Sequence, residues 1–141
     1  MSAHHSKAAD LGRILDTELI EALPGVLRAV LVSRDGLVVT TSNGVERNLA
    51  DTMAAAASGL LALSRQGAAF ADCSDSPLEL TLIQYGDGYL VGMAAGEDTY
   101  LVVAAKRNAD VETLSYAAQK TVDRIGRVMG VGARSAAGPQ S

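Results

Sequence analysis

Apolar residues recur at helical spacing from Asp10 to Leu23, where Leu11, Ile14, Leu15, Leu19 and Leu23 alternate with charged positions. The pattern predicts a first helix capped by Asp10 and stopped at Pro24–Gly25. The period then shortens. Two runs rich in Val, Leu and Thr flank Arg34–Asp35–Gly36, the signature of a β-hairpin, and Ser42–Asn43–Gly44 ends its second strand. A second helix is predicted over Arg47 to Gln66. Past a polar loop, Leu78, Leu80 and Leu82 alternate with Glu79, Thr81 and Ile83, as in a half-buried strand. A hairpin around Asp87–Gly88 and a polar turn at Gly96 to Asp98 separate two further strands. Asp110 caps a last helix with the apolar stripe Val111, Leu114, Ala118, Val122, Ile125 and Met129, closed by Gly130.

The expected order is α-β-β-α-β-β-β-α. Short turns between sequential strands imply a five-stranded antiparallel sheet, and three helices must cover both its faces, which is an α+β architecture. Residues 9–130 are expected to form a single domain. Residues 1–8 are expected to be a flexible N-terminal tail, and residues 131–141 a disordered C-terminal one.

The second helix is the unusual element. From Thr52 to Ser64 it carries no charge, and Ala54 to Ala57 are four consecutive alanines. Leu49, Met53, Ala56, Leu60 and Leu63 form one apolar stripe. Ala50, Ala54, Ala57 and Leu61 form another, one position later. The bulkier stripe is expected to dock on the protein's own sheet and the alanine stripe to admit a second helix at close range. A central helix sandwiched inside one monomer is the alternative, but the other two helices have single stripes suited to the opposite sheet face. A helix apolar all round is buried on both sides. The expected cover is therefore a second copy of the chain, related by two-fold symmetry.

Composition narrows the function. The 12 basic and 16 acidic residues give a net charge of −4, with no basic run, which argues against a nucleic-acid surface. The uncharged run in the second helix is shorter than the roughly 20 residues of a membrane span. The N-terminus shows no secretory pattern, and one cysteine, Cys73, allows no intramolecular disulfide, so a cytoplasmic setting is expected.

Catalytic groups are scarce. His4 and His5 are the only histidines, both in the predicted tail, so the folded body offers no imidazole base for a Ser or Cys nucleophile. That adjacent pair lacks Cys or carboxylate company and reads as a solvated feature rather than a metal site. Cys73 lies between Asp72 and Asp75, a poor setting for a reactive thiol and too few oxygens for calcium. Gly86, Gly88 and Gly92 superficially resemble a phosphate loop, but they lead from strand to strand rather than into a helix. No catalytic residue, cofactor or metal is expected, and the protein reads as a non-enzyme.

The order of elements, with Pro24–Gly25–Val26, Ala29 to Ser33 and Asp35–Gly36–Leu37 in the leading hairpin, resembles the Roadblock/LC7 family. The alanine-rich second helix and the strand Tyr100 to Ala105 match as well, so the resemblance spans about residues 9 to 130. It implies a roadblock/profilin-like fold and a homodimer built on the second helix, with third strands meeting to extend one sheet. The interface residues so expected are Ala50, Met53, Ala54, Ala57, Leu61, Leu80 and Leu82. It further implies an adaptor or regulator that binds a small Ras-like GTPase. This chain is most similar to actinobacterial members that accompany a sensor kinase, a helper protein and a GTPase, so recruitment to a membrane by partners is part of the expectation. Arg28, Arg34, Arg47 and Arg65 qualify by type as inserted arginines, and none is singled out. The competing class is a PAS- or GAF-like small-molecule sensor, for which one Phe, four Tyr and no Trp are a poor supply of pocket lining.

Overall fold

The computed structural model describes residues 3–96 and 98–137. Its elements are α1 (Ala3–Leu15), a π-helical turn (Asp16–Ile20), β1 (Val26–Ser33), β2 (Val38–Thr41), α2 (Arg47–Ala68), β3 (Thr81–Tyr85), β4 (Gly88–Ala94), β5 (Thr99–Lys106) and α3 (Val111–Ala137). The strands form one sheet in the order β2-β1-β5-β4-β3, with every neighbouring pair antiparallel. The chain thus closes the sheet's centre by pairing β1 with β5, leaving β2 and β3 as the two edges.

Because side chains alternate along a strand, each central strand feeds two cores. Ala29 and Leu31 on β1, Val91 and Met93 on β4, and Leu101, Val103 and Ala105 on β5 face α1 and α3. There they meet Leu11, Leu15 and Leu19 together with Leu114, Ala118, Val122 and Ile125. Val30, Val32, Tyr100 and Val102 face the other way, against Ala50, Ala54 and Ala57 of α2. Helices therefore lie on both faces, as expected for the α+β class.

Element ends depart from the sequence reading at four places. α1 starts before Asp10, because the alanines and lysine preceding it are strong helix formers. Asp10 pairs with Arg13 along the helix instead of capping it. The expected tail at residues 1–8 is thus helical from Ala3, and residues 1–2 lie outside the described ones. Next, Leu11, Leu15 and Leu19 are spaced by four, a step that drifts about 40° per repeat in an α-helix. The wider π turn, closed by the Glu21 amide donating to the Asp16 carbonyl at 2.8 Å, keeps Leu15 and Leu19 both fully buried.

Third, Gly130 does not close α3, whose backbone continues to Ala137. Residues 138–141 lie outside the described ones. Fourth, β3 begins at Thr81 rather than Leu78.

The β1–β2 hairpin turns where it was expected, with Gly36 at φ +85°. Ser42 extends that hairpin by side chain. Its hydroxyl accepts from the Ala29 amide at 2.9 Å while its own amide donates to the Ala29 carbonyl at 2.9 Å.

Candidate functional site

α2 begins cleanly. Glu46 has extended backbone and its carboxylate accepts from the Leu49 amide at 3.0 Å, an N-cap that satisfies one of the free amides of the first turn, and packing on the sheet fixes the rotation of the helix. That rotation corrects the expected division of its two stripes. Ala50, Ala54 and Ala57 are buried against β1 and β5, with Leu61 and Met53 packed at the margin of the same cluster. Leu49 and Leu63 are 48% and 63% exposed, with Ala56 exposed and Leu60 half-buried between them. The alanine stripe, expected to face a partner, is the one that docks on the chain's own sheet.

The physical reason is Tyr100. Its ring lies on the α2 face and its hydroxyl donates to Thr81 Oγ1 at 2.7 Å, so the space beneath α2 is already filled. Only methyl-sized side chains let a helix settle over that ring and its valine neighbours. A helical wheel could not show this. Arg47, Asp51 and Arg65 lie opposite the leucines, so the wheel sends the leucines inward.

α2 covers β1 and β2, and Leu90 on β4 is only half-buried beneath it. Between the first turns of α2 and the open part of the sheet lies an apolar hollow of about 120 Å³, with Leu49, Ala50 and Met53 on the helix side. Val102, Ala104 and Leu90 form its floor and Arg28 stands at its rim. It is smaller than the ~300–1,000 Å³ typical of small-molecule sites.

The other exposed apolar feature is the edge strand. β3 reads Thr-Leu-Ile-Gln-Tyr and contains neither charge nor proline, so its outer row of backbone groups is unguarded. By contrast β2, the opposite edge, is four residues long and braced by α1, where Thr40 Oγ1 donates to the Ala8 carbonyl at 3.0 Å. Leu80 and Leu82 are 45% and 47% exposed. Leu82 pairs with Val91, a residue of the α1/α3 core, so it sits on the face opposite α2. The leucines that were expected to be the buried side of this strand are instead about half exposed at the open edge of the sheet. Phe70, just past α2, is 99% exposed.

Among the described residues no group of three or more His, Cys, Asp and Glu could hold a metal, and no helix is long and apolar enough to cross a membrane. The side chains of His4 and His5 lie outside the described ones. Cys73 is exposed. Arg28, Arg47 and Arg65 are exposed and dispersed, and Arg34 lies in the β1–β2 turn beside Asp98.

A family model for the Roadblock/LC7 domain matches residues 14–105. The chain belongs to the Roadblock/LC7 family. Solved structures agree with the assignment. A Roadblock/LC7 domain from Streptomyces avermitilis is 33% identical, with TM-score 0.70, 77% of this chain and 89% of that one being covered. The gliding protein MglB from Thermus thermophilus superposes with TM-score 0.72 at 18% identity over 91% of this chain and 92% of that one. An Acanthamoeba castellanii profilin II shares the fold at TM-score 0.56 and 15% identity, covering 79% and 93% of the two chains. No curated protein matches. The roadblock/profilin-like sheet with helices on both faces is thus the fold of this Roadblock/LC7 chain.

Proposed function

We propose that this Roadblock/LC7 protein is a non-enzymatic homodimeric adaptor that binds a small Ras-like GTPase in a bacterial, cytoplasmic signalling system. The observation that carries the reading is the coincidence of two unsatisfied surfaces. The outer stripe of α2 is apolar, and the β3 edge is open and uncharged. Leu82 and α2 lie on opposite faces of the sheet, so a helix-to-helix contact alone would leave Leu80 and Leu82 wet. Pairing β3 with β3 of a second copy brings both faces to one seam. The interface then comprises the outer residues Leu49, Ala56, Leu60 and Leu63 with Met53, Leu80 and Leu82. Ala50, Ala54, Ala57 and Leu61 support it from beneath.

The GTPase partner follows from the family, whose members are regulators and adaptors, and a sensor kinase complex is the setting in which it would act. Light scattering of the purified chain tests the dimer, and a monomer at micromolar concentration would remove it. Affinity capture from native cytoplasm, with GDP and separately with a GTP analogue, tests the partner. Recovery of a small GTPase is expected. Its absence under both conditions would leave an adaptor without this client.

A further inference from the structure

We propose that Asn43–Gly44, the turn that ends β2, is a site of spontaneous deamidation at which the chain modifies itself. The inference stands apart from the homodimer and from any partner.

The reaction joins two groups of adjacent residues. The Gly44 main-chain nitrogen attacks Cγ of the Asn43 carboxamide and gives up its proton. The Cγ–Nδ2 bond breaks, and ammonia leaves a five-membered imide that takes up one water. Opening at Cγ gives aspartate, and opening at the main-chain carbonyl gives isoaspartate, whose backbone runs through the side chain. Water is the only co-reactant, and nothing is oxidised or reduced.

The fold leaves both groups free to react. Asn43 and Gly44 are exposed, and they border an open polar hollow together with Arg13, Asp16 and Thr40. Among the described residues neither the Asn43 carboxamide nor the Gly44 amide makes a hydrogen bond, so none has to break before the attack. A Cβ on residue 44 would meet nothing within 4 Å, so no neighbour crowds the bond. Gly44 has φ +81°, a conformation that glycine enters and leaves at little cost.

Asn48 and Asn108, the other two asparagines of the chain, lack this freedom. The nitrogen that would attack Asn48 is the Leu49 amide, which already donates to Glu46 Oε1 at 3.0 Å. The one that would attack Asn108 is the Ala109 amide, which donates to the Lys106 carbonyl at 3.0 Å.

The product falls where a new charge matters. The Asn43 amide donates to Asp16 Oδ1 at 2.7 Å, tying the end of β2 to the first residue of the π turn. A carboxylate on residue 43 would stand beside that of Asp16. Arg13, the one cation lining the hollow, is already paired with Asp10. Isoaspartate lengthens the main chain next to Ser42, whose amide and hydroxyl hold Ala29. Either product loosens the β2 edge from the π turn.

Peptide mapping by mass spectrometry, after the folded full chain is incubated in mildly alkaline buffer, tests the site. Asn43 is expected to convert first, with an equal amount of ammonia released. Isoaspartyl methyltransferase labelling tells isoaspartate from aspartate. The chain held unfolded in guanidinium chloride should convert Asn43 at a rate within a few-fold of the folded one. Folding should protect Asn48 and Asn108 far more. An Asn43 that survives in the folded chain but converts in the unfolded one would overturn the proposal, as would earlier loss of Asn48 or Asn108. Asn43→Gln, whose cyclisation needs a larger ring, should stay unmodified and keep its thermal midpoint through the same incubation. The aged native chain and fresh Asn43→Asp should both unfold at a lower midpoint than the fresh native chain. A modified chain with an unchanged midpoint would overturn the link to the π turn.

Discussion

The ring of Tyr100 lies directly against the backbone of Gly92. A Cβ on residue 92 would stand 2.5 Å from the Tyr100 hydroxyl oxygen and 2.8 and 2.9 Å from Cε2 and Cζ. Thr81 pairs with Gly92 across the β3–β4 ladder, so the tyrosine reaches from β5 over β4 to its hydrogen-bond partner on β3. One side chain thus ties three strands on the α2 face. The glycine is there to let it pass.

Gly92→Ala should therefore destabilise the domain by about 1–3 kcal/mol, the usual range for overpacking a filled site. In a Tyr100→Ala background the same substitution should cost little, because the ring is gone and alanine suits a strand better than glycine. Urea unfolding of the four chains measures this coupling. Equal losses in both backgrounds would show that the ring is not what Gly92 accommodates.

The same ring makes stability depend on alkaline pH. Burial pushes the Tyr100 phenol above its ordinary value of 10.0, while its hydrogen bond to Thr81 pulls the other way. The unfolded chain thus loses this proton before the folded one does. Stability contributed by the neutral phenol is complete below pH 10 and declines as pH rises towards the folded value. Tyr100→Phe should remove this part of the alkaline decline. The readout is the difference in unfolding free energy between the two chains from pH 8 to 11, since the other tyrosines are common to both.

Period and turn chemistry made most of this fold legible. The Asp35–Gly36 hairpin, the start of α2 and the stripe of α3 all follow from local rules that tertiary contacts did not override. The pairing of β1 with β5 was not legible, because nothing local links strands about 70 residues apart. The glycines show a subtler limit. Gly88 reads as a turn residue, yet it lies in β4, and a Cβ there would collide with the Ala105 carbonyl oxygen. The site was half legible. Its helix was identified from composition, but its outer face depended on Tyr100, whose reach across Gly92 only the folded sheet reveals.

On the opposite face, Thr121 is fully buried and donates to Glu18 Oε1 at 3.0 Å, while Arg124 contacts Glu18 Oε2 at 3.2 Å. These contacts fasten the π turn to α3. Thr121→Val keeps the shape and removes one hydrogen bond, and should cost about 1 kcal/mol. Because Glu18 remains partly exposed beside Arg124, the larger penalty of a stranded buried carboxylate is not expected. A double cycle with Glu18→Gln, read by thermal unfolding, checks that the loss runs through this carboxylate. Additive effects would place it elsewhere.

The two faces of α2 make opposite predictions for one kind of change. Ala54 has no exposed surface, so Ala54→Asp forces a carboxylate among Val30, Val32 and Tyr100, side chains that offer it no cation. An unpaired buried charge costs about 3–5 kcal/mol, enough to unfold much of a domain of ordinary stability. Leu63→Asp places the same charge in solvent on the single chain and should leave the circular dichroism spectrum and cooperative unfolding of the monomer intact. It should nevertheless abolish self-association, since two carboxylates would then enter the seam. Light scattering and thermal unfolding on the same samples separate the outcomes. A folded, dimeric Ala54→Asp chain beside an unfolded Leu63→Asp chain would mean that the helix is rotated the other way. Leucine against the chain's own sheet and alanine towards the partner would then be correct after all.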